Sequence, residues 1–506
     1  MEDAKSLKRN AIANFIGLAY TTLIGIVILP FYLQYLGAEA FGLVGFFVVL
    51  QAWMQLLDVG MSPMLSRHAA YVRGQNIGFL ELKKLLRSLE IIVFVLSLVV
   101  ALSIYGGSDW IAKHWFKVES LALKEVGICV TFMGAAIGLR FFSSLYRSGI
   151  QGMENQVELN IANTVLATFR FVGALLLLQF VTQDIVYFFS YQLLISVIEL
   201  VVLSVMFYRL IPTTDKIAVE FFWDTLKPMV PFAGGIAYTA GIWVLLTQLD
   251  KLILSTVLKL SEYGYFALVA VVATGILRIS GPISQAILPR MTYLLSQDKK
   301  KDMLALYRQA TQLMAVIMLP LTGMVAVFST ELLFAWTGDR KAAEWAGPIL
   351  FWFALGNGIL AISAFQYYLQ FAHGKLRMHV IYNSISASIQ VPVIIYVAFE
   401  YGAMGVAVVW FVLRLISFFI WTPIVHNKFA PGIHWPWLFK DVAPIFISTS
   451  AVLLFVAGIG IDFDGMSRLD IFLVLISIGL MVLMLNMLVS SASRGLIGVV
   501  IHKINN

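Results

Sequence analysis

One cysteine, Cys129, is all that the chain contains. It can therefore build neither an intramolecular disulfide framework nor a multi-thiolate metal site. Charge is nearly as scarce: 12% of the 506 residues, against 60% hydrophobic residues and a mean hydropathy of +0.88. A soluble domain carries about 25% charged residues, so a soluble globular fold is excluded. No G-x-x-x-x-G-K-[ST] loop occurs, which excludes a built-in nucleotide motor, and no H-E-x-x-H zinc motif is present. The seven histidines are scattered over loops and span ends, and no cofactor is expected.

What the sequence does contain is long apolar runs near 20 residues, the length that crosses a roughly 30 Å hydrocarbon core. Fourteen such spans are expected, near 12–30, 41–62, 88–106, 125–147, 158–181, 185–207, 229–252, 262–288, 309–329, 346–371, 378–399, 402–424, 442–461 and 470–490. The opening "MEDAKSLKRN" and the run after it have the form of a signal sequence without a small-residue cleavage site, so a retained first span is expected. Of the 35 Lys and Arg, 23 fall on the N-terminal side of the membrane and eight on the other. That bias places both termini in the cytoplasm. It also accounts for the net charge of +7 without nucleic acid as a partner. The longest outside segment, about 107–124, is too short for a catalytic domain.

Two stretches repeat. "NFIGLAYTT" at Asn14–Thr22 resembles "PFAGGIAYT" at Pro231–Thr239, and "LGAEAFG" at Leu36–Gly42 lines up with "LKLSEYG" at Leu258–Gly264, the offset drifting from 217 to 222. The expected fold is an all-α polytopic membrane protein of about 14 transmembrane helices. Two parallel six-helix lobes, 1–212 and 213–428, would flank a central cavity, with two further helices in 429–506. Paired lobes of this kind rock about a midplane site in alternating-access transporters.

The remaining four arginines, Arg140, Arg170, Arg278 and Arg414, fall inside expected spans, as does Glu199. A mid-helix arginine costs about 2.5–3.5 kcal/mol on insertion scales. Arg278, in "VVATGILRISGPISQAILP", has no acid closer in sequence than Glu262 and lies beside Gly275 and Gly281–Pro282. It reads as a cavity residue, with Arg140 and Arg414 next. Arg170 and Glu199 sit at similar depth on adjacent helices, either neutralising one another or serving a ligand. Asp58, near the inner end of the second span, reads as a helix cap or a coupling acid, and Asp250 as half of an interfacial pair with Lys251 or a coupling acid. Arginines in excess of acids suit an anionic ligand, because the guanidinium fork matches phosphate oxygens. "DFD" at Asp462–Asp464 reads as a solvated loop, and "QYYLQF" at Gln366–Phe371 and "HWPWLF" at His434–Phe439 as interfacial aromatics or sugar-stacking surfaces.

The first 70 residues resemble the N-terminal pattern of Wzx-type polysaccharide flippases, relatives of multidrug extruders and peptidoglycan lipid flippases. The shared features are a basic start, Asn10, Pro30, Leu36–Gly37, Gly42, Asp58-x-Gly60 and Arg67. The resemblance implies transfer of undecaprenyl-pyrophosphate-linked oligosaccharide between leaflets of the bacterial inner membrane, driven by an ion or proton gradient. On that reading Arg278, Arg140, Arg414 and Arg170 hold substrate, and Asp58, Asp250 and Glu199 are candidates for ion coupling. Membrane lipids and the polymerase and ligase machinery would be partners. Two rivals remain: a small-molecule antiporter of the same superfamily, which wants an acidic cavity, and a membrane polymerase or glycosyltransferase, which wants a large outside domain.

Overall fold

The structure is a computed structural model that describes residues 2–75, 78–211 and 220–495. The expected lobe boundary at 212/213, Lys216 and Lys503 lie outside the described residues. Among the described residues every regular element is helical, as apolar chain in lipid requires, because only a helix satisfies its backbone groups within one segment. By internal contacts the chain falls into two compact units, Met1–Gly264 and Tyr265–Asn506.

The first unit holds α1 (Glu2–Met54), α2 (Met61–Gln75), α3 (Phe79–Trp110), α4 (Leu123–Gly152), α5 (Gln156–Thr168), α6 (Ala174–Phe180), α7 (Ile185–Arg209), the short α8 (Trp223–Leu226) and α9 (Val230–Val257). Helix α4 packs along both α3 and α7. Leu85, Leu89, Ile150, Leu203 and Phe207, all fully buried, fill the seams between α3, α4 and α7. The second unit takes most of α10 (Leu260–Ser296), then α11 (Lys300–Val327), α12 (Ser329–Thr337), α13 (Arg340–Ala372), α14 (Arg377–Phe429), α15 (His434–Pro436), α16 (Ala443–Ile459) and α17 (Arg468–Val489). The last pair is no loose appendage. Leu453, Val456, Leu475 and Val482 bury against Phe328 and Ala335, and Asn486 donates to Thr449 Oγ1 at 2.6 Å.

Twelve helices among the described residues are long and apolar enough to cross a membrane. Two of them, Ile12–Asp58 and Arg377–Phe429, run to 47 and 53 residues, and each covers two of the expected spans. A straight helix of that length would measure about 70–80 Å, more than twice the hydrocarbon core. Both are broken by a glycine with positive φ, Gly37 at 78° and Gly402 at 59°, a conformation that costs other residues about 1–2 kcal/mol. The repeat noted in the sequence meets itself at one such corner. A Cβ on Gly42 would strike the Leu260 carbonyl oxygen, and a Cβ on Gly264 would strike that of Ala38.

Candidate functional site

The polar centre of the first unit is assembled by helical periodicity. Gln192, Ser196 and Glu199 follow one another by four and three residues on α7 and so share a face. Arg140 and Arg147 stand seven residues, two turns, apart on α4. On the α5 side the helix opens into a π turn, Phe169–Gly173, which carries Arg170. The looser turn frees carbonyls that lipid could not satisfy, and side chains take them. Tyr191 Oη donates to Phe169 O at 2.8 Å, Gln192 Nε2 to Arg170 O at 3.3 Å, and Tyr32 Oη to Phe171 O at 2.7 Å. Such π turns recur at functional sites.

Glu199, 3% exposed, stands between two guanidiniums: Oε1 receives Arg147 and Oε2 receives Arg170. Arg147 also donates to Asn163 Oδ1 at 2.6 Å. Arg140 takes neutral acceptors instead. Its donors reach Ser196 Oγ at 3.0 Å, Gln51 Oε1 at 2.8 Å and Gln192 Oε1 at 2.9 Å, and its guanidinium lies 4.9 Å from the centre of the Phe47 ring. Three guanidiniums against one carboxylate leave two positive charges in excess. Beside them opens a cavity of about 310 Å³, lined by Asn14, Thr21, Asn160 and Asn163 as well as Arg147, Arg170 and Glu199. Gly17 makes room here, since a Cβ at that position would collide with the Asn160 amide, which itself donates to Asn14. Arg140 is not part of this lining.

The other expected site residues lie elsewhere. Arg278 is exposed on α10 in the second unit. Arg414 is buried on α14, 4.1 Å from the centre of the Trp410 ring and 3.3 Å from Gln390 Oε1. Trp410 in turn donates to Asn357 Oδ1 at 3.0 Å, and Asn357 to Ala273 O at 2.7 Å. Asp250 is buried beside Lys251, with Nζ to Oδ1 at 3.2 Å. Asp464 of the "DFD" loop pairs with Arg340 at 2.8 Å.

Asp58 caps α2. It accepts from Ser62 N at 3.1 Å and Ser62 Oγ at 2.6 Å. Between them Val59 and Gly60 turn through positive φ, and a Cβ on Gly60 would come within 2.5 Å of Ala233 O. The Asp58-x-Gly60 motif thus has a local structural reason. Asp58→Ala is expected to lower stability by about 1 kcal/mol, and Asp58→Asn, which keeps an accepting oxygen, by less. Thermal unfolding of the purified variants measures both. A coupling acid would instead lose transport equally in the two.

Arg147 stands at the end of the fourth expected span, 125–147, and is not among the intramembrane charges that the sequence singles out. Helix α4 continues to Gly152 and keeps it inside. The signal was its two-turn spacing from Arg140.

A family model described as "Polysaccharide biosynthesis protein" matches residues 7–295. A protein of Shigella flexneri assigned as an O-antigen transporter is 22% identical over 413 residues, which cover 80% of this chain and 94% of that protein. Among solved structures, the lipid II flippase MurJ in an inward closed conformation superposes with a TM-score of 0.68 at 15% identity, covering 94% of this chain and 97% of that one. An inward-facing multidrug resistance MATE family transporter of the MOP superfamily gives 0.63 at 12% identity, covering 80% and 95%. At these identities the two structures establish a shared fold.

Proposed function

The chain belongs to the polysaccharide biosynthesis protein family, and from that premise we propose that it is a flippase for a lipid-linked oligosaccharide. On this reading it is a transporter rather than an enzyme. Undecaprenyl-pyrophosphate-linked repeat units pass from the inner to the outer leaflet of a bacterial inner membrane, through fourteen passes with both termini cytoplasmic. The tails stay in lipid while the headgroup crosses. The expected division into two six-helix lobes, working by alternating access, belongs to this proposal, as do ion or proton coupling and hand-over to polymerase and ligase enzymes.

The observation that carries the reading is the surplus of arginine over acid beside the 310 Å³ cavity of the first unit. A pyrophosphate or sugar acid is the complementary ligand, since guanidinium forks bind such oxygens bidentately. The same surplus disfavours organic cations, the cargo of a drug antiporter. Arg147 and Arg170 would hold the anion, Arg140 would raise the local potential, and Arg278 and Arg414 would serve the second unit. Glu199 would compete with the substrate for its two arginines.

The test is deletion of the gene in the bacterium that encodes it, followed by complementation at matched membrane levels. The wild-type chain is expected to restore surface glycan. Arg147→Ala is expected to lower it on the order of tenfold or more, the effect of losing about 1.4 kcal/mol or more of binding, while lipid-linked precursor accumulates. Full restoration by Arg147→Ala removes the cavity from the mechanism.

A further inference from the structure

The acids first considered for proton coupling are all engaged: Asp58 in a cap, Asp250 with Lys251, Glu199 with two arginines. In the second unit a different set of titratable groups is joined end to end. Helix α14 ends just past His426, and a tight turn with Gly432 at φ 83° returns His434 to it. The two Nδ1 atoms are 3.0 Å apart, and Nε2 of His426 lies 2.7 Å from the Tyr307 hydroxyl of α11. All three side chains are buried, His434 least, at 8% exposure. "HWPWLF" is therefore split. Trp437 is buried against both imidazoles, while Trp435 and Phe439 stack on each other at the surface.

Two Nδ1 atoms in hydrogen-bond contact share one proton. With two, N–H faces N–H; with none, lone pair faces lone pair. In the neutral chain Tyr307 donates to His426 Nε2, His426 Nδ1–H donates to His434 Nδ1, and His434 keeps Nε2–H. We propose that Tyr307, His426 and His434 form a proton-binding relay that takes up one proton and holds the charge on His434. Uptake adds one proton and makes or breaks no bond between heavy atoms. The incoming proton replaces the one that Tyr307 passes to His426 Nε2, and His426 passes its Nδ1 proton to His434. The chain then runs the other way: His434, an imidazolium, donates to His426, and His426 Nε2–H donates to the Tyr307 oxygen.

The surroundings leave this charge to the relay. On α11 and the turn after α15, Arg308 and Asp441 are closed on each other by two hydrogen bonds, with Gln312 on the same carboxylate at 2.6 Å. Just past the end of α13, His373 meets Phe429 rather than the imidazoles. Lys428 and Lys440 are exposed. The site deepens the transport reading and rests on it for its purpose, as the place where a coupling proton resides.

Tryptophan fluorescence of the full-length protein in detergent, carrying His114→Gln to remove the exposed imidazole stacked on Trp110 and titrated from pH 8 to pH 5, tests it without any glycan. An imidazolium stacked on Trp437 is expected to quench it in a one-proton step, within the range where histidine changes charge. The step is expected to be lost in His434→Gln and in Trp437→Phe, and kept in His379→Gln. A step that survives both substitutions, or no step in their absence, overturns the proposal. Should a variant fail to fold, ¹⁵N-histidine spectra of the wild-type chain decide. The His434 imidazole is expected to become doubly protonated while that of His426 exchanges tautomer; if both keep their form, the relay does not exist. Because complementation reads transport and this titration reads the proton, either result can fail alone.

Discussion

Glu199→Ala is expected to lower the unfolding temperature on the order of 10 °C, and millimolar inorganic pyrophosphate is expected to recover most of that loss. The carboxylate is 5% exposed and the side chains of Arg147 and Arg170 are 33% and 22% exposed. Removing one partner of a buried ion pair leaves an uncompensated charge and costs about 3–5 kcal/mol. Here two guanidiniums lose the same carboxylate, with Arg140 adding repulsion. A domain of this size shifts by about 2–4 °C per kcal/mol, which gives the expected magnitude. Recovery separates a structural pair from an anion seat. If the arginines are arranged for a diphosphate, the vacated site binds it and gains RT ln(1 + [L]/Kd), about 2.7 kcal/mol at a hundredfold excess over Kd. In the wild type the same anion must displace Glu199, so its effect is expected to be smaller. Glu199→Gln keeps the shape and loses the charge, and should fall between. A large loss in Glu199→Ala with no response to pyrophosphate would make the cluster purely structural.

Much of this arrangement was legible in the sequence, and the reason is physical. Lipid forbids unsatisfied backbone, so apolar length alone marks the helices. The same cost makes every intramembrane charge conspicuous, which is why Arg140, Arg170 and Glu199 stood out, and why depth alone suggested that Arg170 and Glu199 meet. What was not legible depends on local geometry. Arg147 was hidden because helix α4 runs five residues past the expected span end at 147. The π turn at Phe169–Gly173 has no marker in the one-dimensional pattern, although it sets which way Arg170 faces. His426 and His434 looked scattered because only a turn through Gly432 brings them together. Asp58-x-Gly60 was visible as a motif, but beside the local cap on Ser62 its glycine also answers to Ala233, more than 170 positions away.

The repeat yields the second large effect. Gly42 and Gly264 are 222 positions apart, and so are Ala38 and Leu260. Each glycine packs on the carbonyl of the other segment's partner: Gly42 on Leu260, and Gly264 on Ala38. A contact in which i meets j and the equivalent of j meets the equivalent of i is the signature of a local two-fold axis. Both positions therefore face the same steric limit. At Gly42 the added carbon would also lie 2.9 Å from Leu260 Cδ1, and at Gly264 it would lie 3.2 Å from the Gly42 nitrogen. The obstacle in both cases is backbone, which cannot rotate away, so overpacking of about 1–3 kcal/mol is expected for each Gly→Ala. Gly106 on α3 has nothing within 4 Å of its would-be Cβ. Gly106→Ala is expected to be neutral or stabilising, as alanine is in a helix interior. The two substitutions should not add. Once either has pushed the segments apart, the second finds room, so the double variant is expected to cost less than the sum of the singles. Thermal unfolding of the two singles, the double and the Gly106 control measures this coupling. Additive losses would mean that the two glycines sit in independent contacts, and a neutral Gly264→Ala would remove the two-fold corner altogether.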